Sequence, residues 1–394
     1  MVRDYFADLH IHVGITESGN WVKIPSSKHL TARAILAHAA EKKGLDIVGL
    51  VDAMSPAVLA DLEKMRNEGF LTLNTQGAYR YQDKITLLLG AEIETREENG
   101  GLSHTLIYLA DLELMAAFAK EMAKYIKNIN LSSQNARLPL KKLVDLARPF
   151  EPLIIPAHVF TPHKSLYGSC ARRLTELLPP SGLSAVSAIE LGLSADSFLA
   201  DRIGELAEFS FLTNSDAHSL DKIGREYNKL TLGEEASFRE VALALARKDG
   251  RAVKANYGLN PRLGKYHRTV CLNCGEVVTL DGKCCPVCHK NQLVKGVLDR
   301  IDEIADYPAP KHPQHRPVYF YQTPLEFIPG LGKKTLNKLM ARFKTEMKII
   351  HFAAAAELEE VAGAKIAASI LNAREGKSQI VDGGGGVYGK ICQG

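Results

Sequence analysis

The stretch FADLHIHVG, residues 6–14, sets Asp8, His10 and His12 on alternate positions of a segment that otherwise reads as a buried strand. Residues two apart in a strand share a face, so these polar side chains converge while Leu9, Ile11 and Val13 face the other way. Two imidazoles on one face make half of a metal site. A surface histidine beside a hydrogen-bonded core histidine would give the same pattern, so the rest of the chain has to decide.

Outward from this strand, short apolar runs alternate with helical patterns as far as about residue 255. YFADLHIHV, LDIVGLV, ITLLLGA, SHTLIYLA, LIIPAHV, VSAIEL and FLTNS read as strands. HLTARAILAHAAEKKG, SPAVLADLEKMRNEG, LELMAAFAKEMAKYIKN, LPLKKLVDLARPF, SADSFLADRIGELAEF and SFREVALALARKDG read as helices between or after them. The alternation predicts an α/β architecture with a parallel sheet, closed as a seven-stranded TIM-like barrel or left open.

The chain has 394 residues, more than the ~250–300 at which single cores stop growing, so two or three domains are expected. With 46% hydrophobic and 24% charged residues it has the composition of a soluble globular protein. No apolar run approaches the ~20 residues of a membrane span, and MVRDYFADLH lacks the basic start and apolar stretch of a signal peptide. A cytoplasmic, nucleoid-associated protein with no membrane contact is expected. Residues 1–250 carry 28 Lys+Arg against 32 Asp+Glu, and residues 251–394 carry 21 against 13. An acidic front and a basic rear suggest a catalytic part joined to an anion-binding part.

The ionisable residues fall in a pattern. His10, His12, Asp52, Glu92, His158, Glu190, Asp216 and His218 each sit at or just past the end of a predicted strand, and His104 opens another. The carboxyl ends of strands in such folds gather at one rim, so residues far apart in sequence meet there. Each alone has a plain structural explanation, such as a helix cap at Asp52 or a core histidine at His158. Their joint placement does not. A His, Asp and Glu set without cysteine favours Zn, Mn, Fe or Mg, and shared carboxylates suit phosphoester hydrolysis with ions about 3.5–4 Å apart.

Five of the seven cysteines lie within residues 271–288. Cys271-x2-Cys274 and Cys285-x2-Cys288 are the two knuckles of a four-cysteine zinc ribbon, a staple for a piece too small to keep its own core. Cys284 is spare. DYPAPKHPQHRPVYFYQTP then holds five of the 17 prolines and is expected to run extended between modules.

Further on, FIPGLGKKTLNKLMARF places Gly330 and Gly332 in a turn directly before a helix. Glycines permit close backbone approach, and a helix start presents free N–H groups to a phosphate. Lys334, Lys338 and Arg342 share one face, and Lys333 adds charge at the turn; the plain alternative is a solvated basic face. A second, weaker copy is LEEVAGAKIAASILNAREG, and the chain ends in the Gly-rich VDGGGGVYGKICQG.

DLHIH, GLVDA, GAEIET, SHTLIYL, PAHVF and NSDAH, in this order, resemble the motifs of the PHP superfamily, the polymerase and histidinol phosphatase domain, over about residues 1–255. The resemblance implies a distorted seven-stranded barrel binding up to three metals. His10, His12, Glu92 and Asp216 would hold one. Glu92 would bridge to a second on His104 and His158, and His218 would serve a third, with Asp52 also in the ligand set. One departure matters: relatives commonly carry a histidine after the aspartate of the second motif, where this chain has Ala53.

The hairpin segment is similar to a helix-hairpin-helix, which grips DNA phosphates without reading sequence. A PHP part at 1–255, a zinc ribbon at 256–306, and a Pro-rich linker with helix-hairpin-helix and Gly-rich tail at 307–394 together resemble the endonuclease Q family. That resemblance implies hydrolysis of the phosphodiester bond 5′ to deaminated bases (uracil, hypoxanthine, xanthine) and abasic sites, leaving 3′-hydroxyl and 5′-phosphate ends. It implies rim ions of Zn, with Mg or Mn as alternatives, one structural Zn, damaged double- or single-stranded DNA as partner, and a sliding clamp as a further candidate. His10, His12, Glu92 and Asp216 are the expected catalytic residues. The loop VFTPHKSLYGSCARRL offers Ser165, Leu166 and Tyr167 for base recognition and Arg172 and Arg173 for phosphate, with Asn214 as a further base contact. The rival readings are a small-molecule phosphatase, a 3′–5′ exonuclease and an inactive DNA-binding module.

Overall fold

The computed structural model describes residues 1–279, 283–377, 380–381, 383 and 387–391. Leu280–Gly282 in the cysteine segment, Ser378, Gln379, and in the Gly-rich tail Asp382, Gly384–Gly386 and the last three residues lie outside them.

The strands are β1 (Arg3–Ile11), β2 (Ile47–Leu50), β3 (Leu71–Leu73), β4 (Tyr79–Tyr81), β5 (Ile85–Arg96), β6 (Leu102–Leu109), β7 (Leu153–Pro156), β8 (Ile189–Glu190), β9 (Phe211–Leu212), β10 (Tyr227–Leu232), β11 (Ala252–Gly258), β12 (Val270–Cys271), β13 (Leu293–Val294), β14 (Val318–Tyr321), β15 (Ile380–Val381) and β16 (Lys390–Ile391). Ten of them form one mixed sheet, ordered β14-β11-β10-β1-β2-β5-β4-β3, with β6 on β5 and β7 on β6. The apolar strands predicted around β1, β2, β5, β6 and β7 are all present, and helices at Ala32–His38, Pro56–Asn67, Leu112–Met122, Leu140–Ala147 and Phe238–Leu245 pack against them.

The expected seven-stranded TIM-like barrel is not formed, because the sheet is not closed and much of it is antiparallel. β1, β2 and β5 run parallel, but β5, β6 and β7 are antiparallel neighbours and β10 is antiparallel to β1. The link between β5 and β6 is only residues 97–101, too short for the crossover that a parallel pair needs. β8 and β9 pair with each other as a separate two-stranded sheet.

The helix expected over SADSFLADRIGELAEF is broken into a turn at Ser197–Ala200 and a 3-10 stretch at Gly204–Glu208. Asp201, between them, is fully buried and receives Arg316 through bonds of 2.8–3.1 Å. A buried carboxylate needs such a partner, and supplying it fixes the local chain path. Arg316 belongs to the Pro-rich segment, which runs extended and ends as β14, parallel to β11.

Beyond β14, helices Lys333–Phe343, Glu346–His351, Ala355–Ala362 and Ala364–Arg374 enclose a small core of Leu339, Ile349, Leu358 and Ile370. This unit docks on the sheet through Met347, which is 2% exposed within the main core, a Lys43–Glu346 ion pair at 3.0 Å, and His351, which stacks on Phe6 at 4.6 Å and bonds Tyr227 Oη at 2.6 Å. Met347→Ala is expected to lower stability by about 2–5 kcal/mol in denaturant unfolding, because it opens a cavity at that junction.

Candidate metal centre and nucleic-acid interface

β1 carries Asp8 and His10 on alternate positions, His12 follows just past its end, and all three are fully buried. Asp8 is a clamp: it accepts bonds from the backbone N–H of Ser215 (3.1 Å) and Gly224 (2.8 Å), pinning the loop after β9 beside β1. That loop carries Asp216 and His218. Glu92 comes from the middle of β5, where Glu94 faces His104 across the β5–β6 ladder. His158 follows β7 and Glu190 ends β8.

Their ligand atoms gather into three overlapping sets: His10, His12 and Glu92; His12, Asp216 and His218; Glu92, His104 and His158. Within each set the candidate atoms lie within 4.8 Å of one another. Glu92 Oε1 lies 2.7 Å from His104 Nδ1, 3.3 Å from His158 Nε2 and 3.5 Å from His10 Nε2. Glu92 Oε2 lies 3.5 Å from His12 Nε2. His158 (φ 32°) and Asp216 (φ 46°) both hold left-handed backbone, strain of the kind kept at functional sites. His158 also needs Gly192 (φ 79°), where a Cβ would come within 2.8 Å of its own.

Two carboxylates stand behind the imidazoles. Glu190 takes His10 Nδ1 at 3.0 and 3.1 Å, and Asp52 takes His12 Nδ1 at 3.0 Å while accepting Val13 N–H at 2.7 Å. Each carboxylate fixes the proton on Nδ1 and turns the lone pair of Nε2 toward the centre, as in carboxylate–histidine–metal triads. Asp52, expected among the ligands, therefore stands behind His12, which occupies its charge. Glu190 has the matching role for His10.

Burial opposes ionisation of Glu92 and Asp216, yet His104, Lys23 and His10 around Glu92, and His10, His12 and His218 around Asp216, hold both carboxyls well below their usual range. Burial likewise opposes charge on His10, but Glu190 and Asp216 raise its pKa well above the ordinary value. Carboxylates that draw a proton onto an imidazole also draw a divalent cation. His10 Nε2 is buried with no hydrogen-bond partner. An orphaned lone pair amid imidazoles and ionised carboxylates fits a divalent ion.

Sequence reasoning missed Lys23, whose Nζ lies 3.3 Å from both His12 Nε2 and Glu92 Oε2. It stands in a polar loop with no periodicity to flag it. Burial disfavours its ammonium, but Glu92, Asp52 and Asp216 more than offset this and raise its pKa.

A cleft of about 580 Å³ opens beside the cluster, lined by His104, His158, Asp216 and His218 and by Lys164, Lys222, Arg225, Lys265, Tyr266 and Tyr388. Arg225 is held by Ser215 O (2.8 Å) and Tyr388 Oη (2.9 Å), and Lys265 lies over the Tyr388 ring. Lys222 and Arg225 follow NSDAH closely, and that proximity could have flagged them.

The residues proposed for base contact sit differently. Ser165, Leu166 and Tyr167 are buried at 0–1% exposure. Tyr167 stacks on Phe160 and gives its hydroxyl to Glu205 at 2.8 Å, while Ser165 Oγ accepts the Gly168 N–H at 3.0 Å. The tight turn at Leu166–Cys170 aims these side chains inward to pack, so they form the floor of the loop and not a wedge. Arg172 and Arg173 are spent on the carbonyls of Glu303 and Ile304, each at 2.8 Å. Asn214 is buried with both ends bonded, to Glu190 and to Leu9 N–H and Asn228, and so supports the site from behind.

The four ribbon cysteines converge, with sulfurs 3.5 Å (Cys271–Cys288) and 3.7 Å (Cys274–Cys285) apart, and Cys284 stands outside the group, exposed. Four thiols at this spacing fit a tetrahedral zinc. In the hairpin, Gly330 has φ 82° and Gly332 caps the helix Lys333–Phe343, with nothing within 4 Å of where its Cβ would be. The turn backbone is thus open to approach. Lys333, Lys334, Lys338 and Arg342 are exposed, Arg342 also pairing with Glu357 at 2.8 Å. Among the described residues no helix is long and apolar enough to cross a membrane.

No family model matches the chain. The uncharacterized protein YqxK of Bacillus subtilis (strain 168) is 45% identical over 392 residues, 99% of this chain and 100% of that protein. The lesion-specific endonuclease PfuEndoQ from Pyrococcus furiosus superposes with a TM-score of 0.85 at 31% identity, over 99% of this chain and 95% of that one. A structure of Endonuclease Q with a 27-mer duplex substrate, an abasic lesion at its active site, gives a TM-score of 0.84 at 31% identity, over 99% of this chain and 96% of that one. Fold and site together define a metal-dependent endonuclease, a hydrolase with imidazoles and carboxylates grouped where they could hold divalent ions. The chain belongs to the endonuclease Q family.

Proposed function

We propose that this protein is a DNA repair endonuclease that hydrolyses the phosphodiester bond on the 5′ side of deaminated bases (uracil, hypoxanthine, xanthine) and of abasic sites, leaving 3′-hydroxyl and 5′-phosphate ends. The observation that carries this is the cleft of about 580 Å³ whose one wall is the imidazole–carboxylate cluster and whose other wall is lysine, arginine and tyrosine. The second wall suits a phosphate chain and an unstacked base.

His10, His12, Glu92 and Asp216 would hold one ion, His104 and His158 a second shared through Glu92, and His218 lies where it would serve Asp216. Such ions, when bound, activate water and screen the charge that develops on phosphoryl oxygens; Zn is the ion this donor set suits first, with Mg or Mn as alternatives. The chain's own part is to orient. Glu190 and Asp52 hold the two strand imidazoles in one tautomer, and Lys164, Lys222 and Lys265 give the substrate backbone a cationic bed.

An enzyme that acts at one base takes it out of the stack, and a deaminated or missing base costs less to extrude. Tyr266 and Tyr388, on the cleft wall, are better placed to stack on an extruded base than the buried Tyr167. The ribbon would be stapled by one zinc on Cys271, Cys274, Cys285 and Cys288. The roles fall in the order 1–255, 256–306 and 307–394, although β14 crosses the last boundary to pair with β11 in the first sheet, with a sliding clamp as a candidate partner and the nucleoid as the place of work.

The test is end-labelled duplex with a single uracil or hypoxanthine, beside undamaged duplex and histidinol phosphate, each with the protein and a divalent metal. A discrete nick 5′ to the lesion is expected. Laddering from a 3′ end, phosphate release, or binding without cleavage would instead favour an exonuclease, a small-molecule phosphatase or a binding module. Lys334→Ala with Lys338→Ala is expected to weaken binding to any duplex sequence and to flatten the dependence of log K on log salt by about 2, as loss of two phosphate contacts requires. Titrations at several salt concentrations read this directly.

A further inference from the structure

Lys23 sits on a loop that both neighbours fix. Its backbone N–H and that of Val22 donate to Gly14 O at 3.2 and 2.9 Å, and Val22 O accepts Ser132 N–H at 2.8 Å. The side chain runs inward and is only 13% exposed. An ammonium has three hydrogens to give. Lys23 gives them to three acceptors: Ser133 Oγ at 2.6 Å, Glu92 Oε2 at 3.3 Å and His12 Nε2 at 3.3 Å.

His12 Nδ1 is committed to Asp52, so Nε2 presents a lone pair to whatever cation lies in front of it. His10 is built the same way behind, with Glu190 on Nδ1, but its Nε2 meets no hydrogen-bond partner. Both imidazoles face the cluster, His12 Nε2 lying 3.4 Å from Asp216 Oδ1, but only His12 also meets an ammonium. Behind His12, the residue after Asp52 is Ala53, fully buried and with no donor atom in its side chain.

We propose that Lys23 is a resident cation of the site: its ammonium, held on Glu92 Oε2 and Ser133 Oγ, supplies positive charge beside the ions of the rim and so caps the number of metals the rim accepts. This rests on the reading of the rim as a divalent-metal centre. Lys23 is a positioning residue, acting through Glu92 and His12 on the charge balance of the cluster.

The experiment uses the full chain, metal-stripped, equilibrated with Mn²⁺, dialysed and analysed for Mn per chain by elemental mass spectrometry. Lys23→Met is expected to retain about one more ion per chain than the unaltered protein, because a further ion replaces the charge lost beside Glu92. Lys23→Arg, which keeps the charge, is expected to retain no more than the unaltered protein. Equal or lower Mn in Lys23→Met overturns the proposal. Should Lys23→Met not fold, as judged by its melting curve, Lys23→Gln is read by the same criterion. His10→Ala serves as the reference for loss of rim metal. If the unaltered protein holds no more Mn than His10→Ala, the rim reading itself fails and takes this one with it.

Discussion

Glu92→Gln is expected to lower lesion-directed cleavage by about a thousandfold or more while duplex binding through the hairpin persists. Glu92 faces His10, His104 and His158 with one oxygen and His12 and Lys23 with the other, so every ligand set at the rim except that of Asp216 and His218 depends on it. Glutamine keeps the shape but removes the charge, and its NH2 would confront lone pairs or an ammonium. A rim ion supplies several kcal/mol of transition-state stabilisation, and at about 1.4 kcal/mol per decade a loss of about 4 kcal/mol is a thousandfold. Single-turnover cleavage of a uracil duplex reads the effect. A variant that nicks at the normal rate would mean that the rim is not where the bond breaks.

Glu190→Gln should cost about 10–100-fold in metal affinity, with cleavage falling alongside at limiting metal. Glu190 borders the cleft but is only 1% exposed: it grips His10 Nδ1 with both oxygens and accepts Asn214 Nδ2 at 2.8 Å. The amide would still bond His10 but could do so through its NH2, which turns the imidazole to the opposite tautomer and takes the Nε2 lone pair away from the centre. Competition against a chelating dye measures the shift. Affinity equal to that of the unaltered protein would show that the tautomer is fixed elsewhere.

Much of the candidate site was legible in the sequence because strand periodicity is strict. The alternation in DLHIH set His10 and His12 on one face, and strand-end positions picked out Glu92, His158 and Asp216. Loops obey no such period. Lys23 lies in one, and its approach to Glu92 depends on how residues 14–30 and 128–136 lock together. Asp52 and Glu190 were visible as strand-end acids, but whether an acid binds an ion or orients an imidazole depends on a separation of a few ångströms that spacing in sequence does not encode. Leu166 and Tyr167 show the converse: a loop after a candidate ligand reads as rim, whereas the tight turn there rotates its large side chains into the core.

For the fold, apolar runs marked the strands but not their directions. The mixed sheet follows from link lengths such as residues 97–101; β10 and β11 escape a search for apolar runs because polar residues interrupt YNKLTL and AVKANYG, and β14 escapes it because VYFY lies in the Pro-rich segment.

β14 has a consequence for how the chain is made. It covers β11 in register Ala255 to Val318 through Gly258 to Tyr321, so the sheet is finished by residues that emerge from the ribosome after the whole cysteine segment. Until then β11 offers a bare edge, and Asp201 waits for an arginine not yet synthesised. A nascent chain stopped just after β11, near residue 260, would be a sticky, charge-imbalanced species, prone to pairing with its own copies. Expression of the front piece by itself should therefore yield aggregate, and supplying residues 307–323 as a separate peptide should restore solubility by filling that edge.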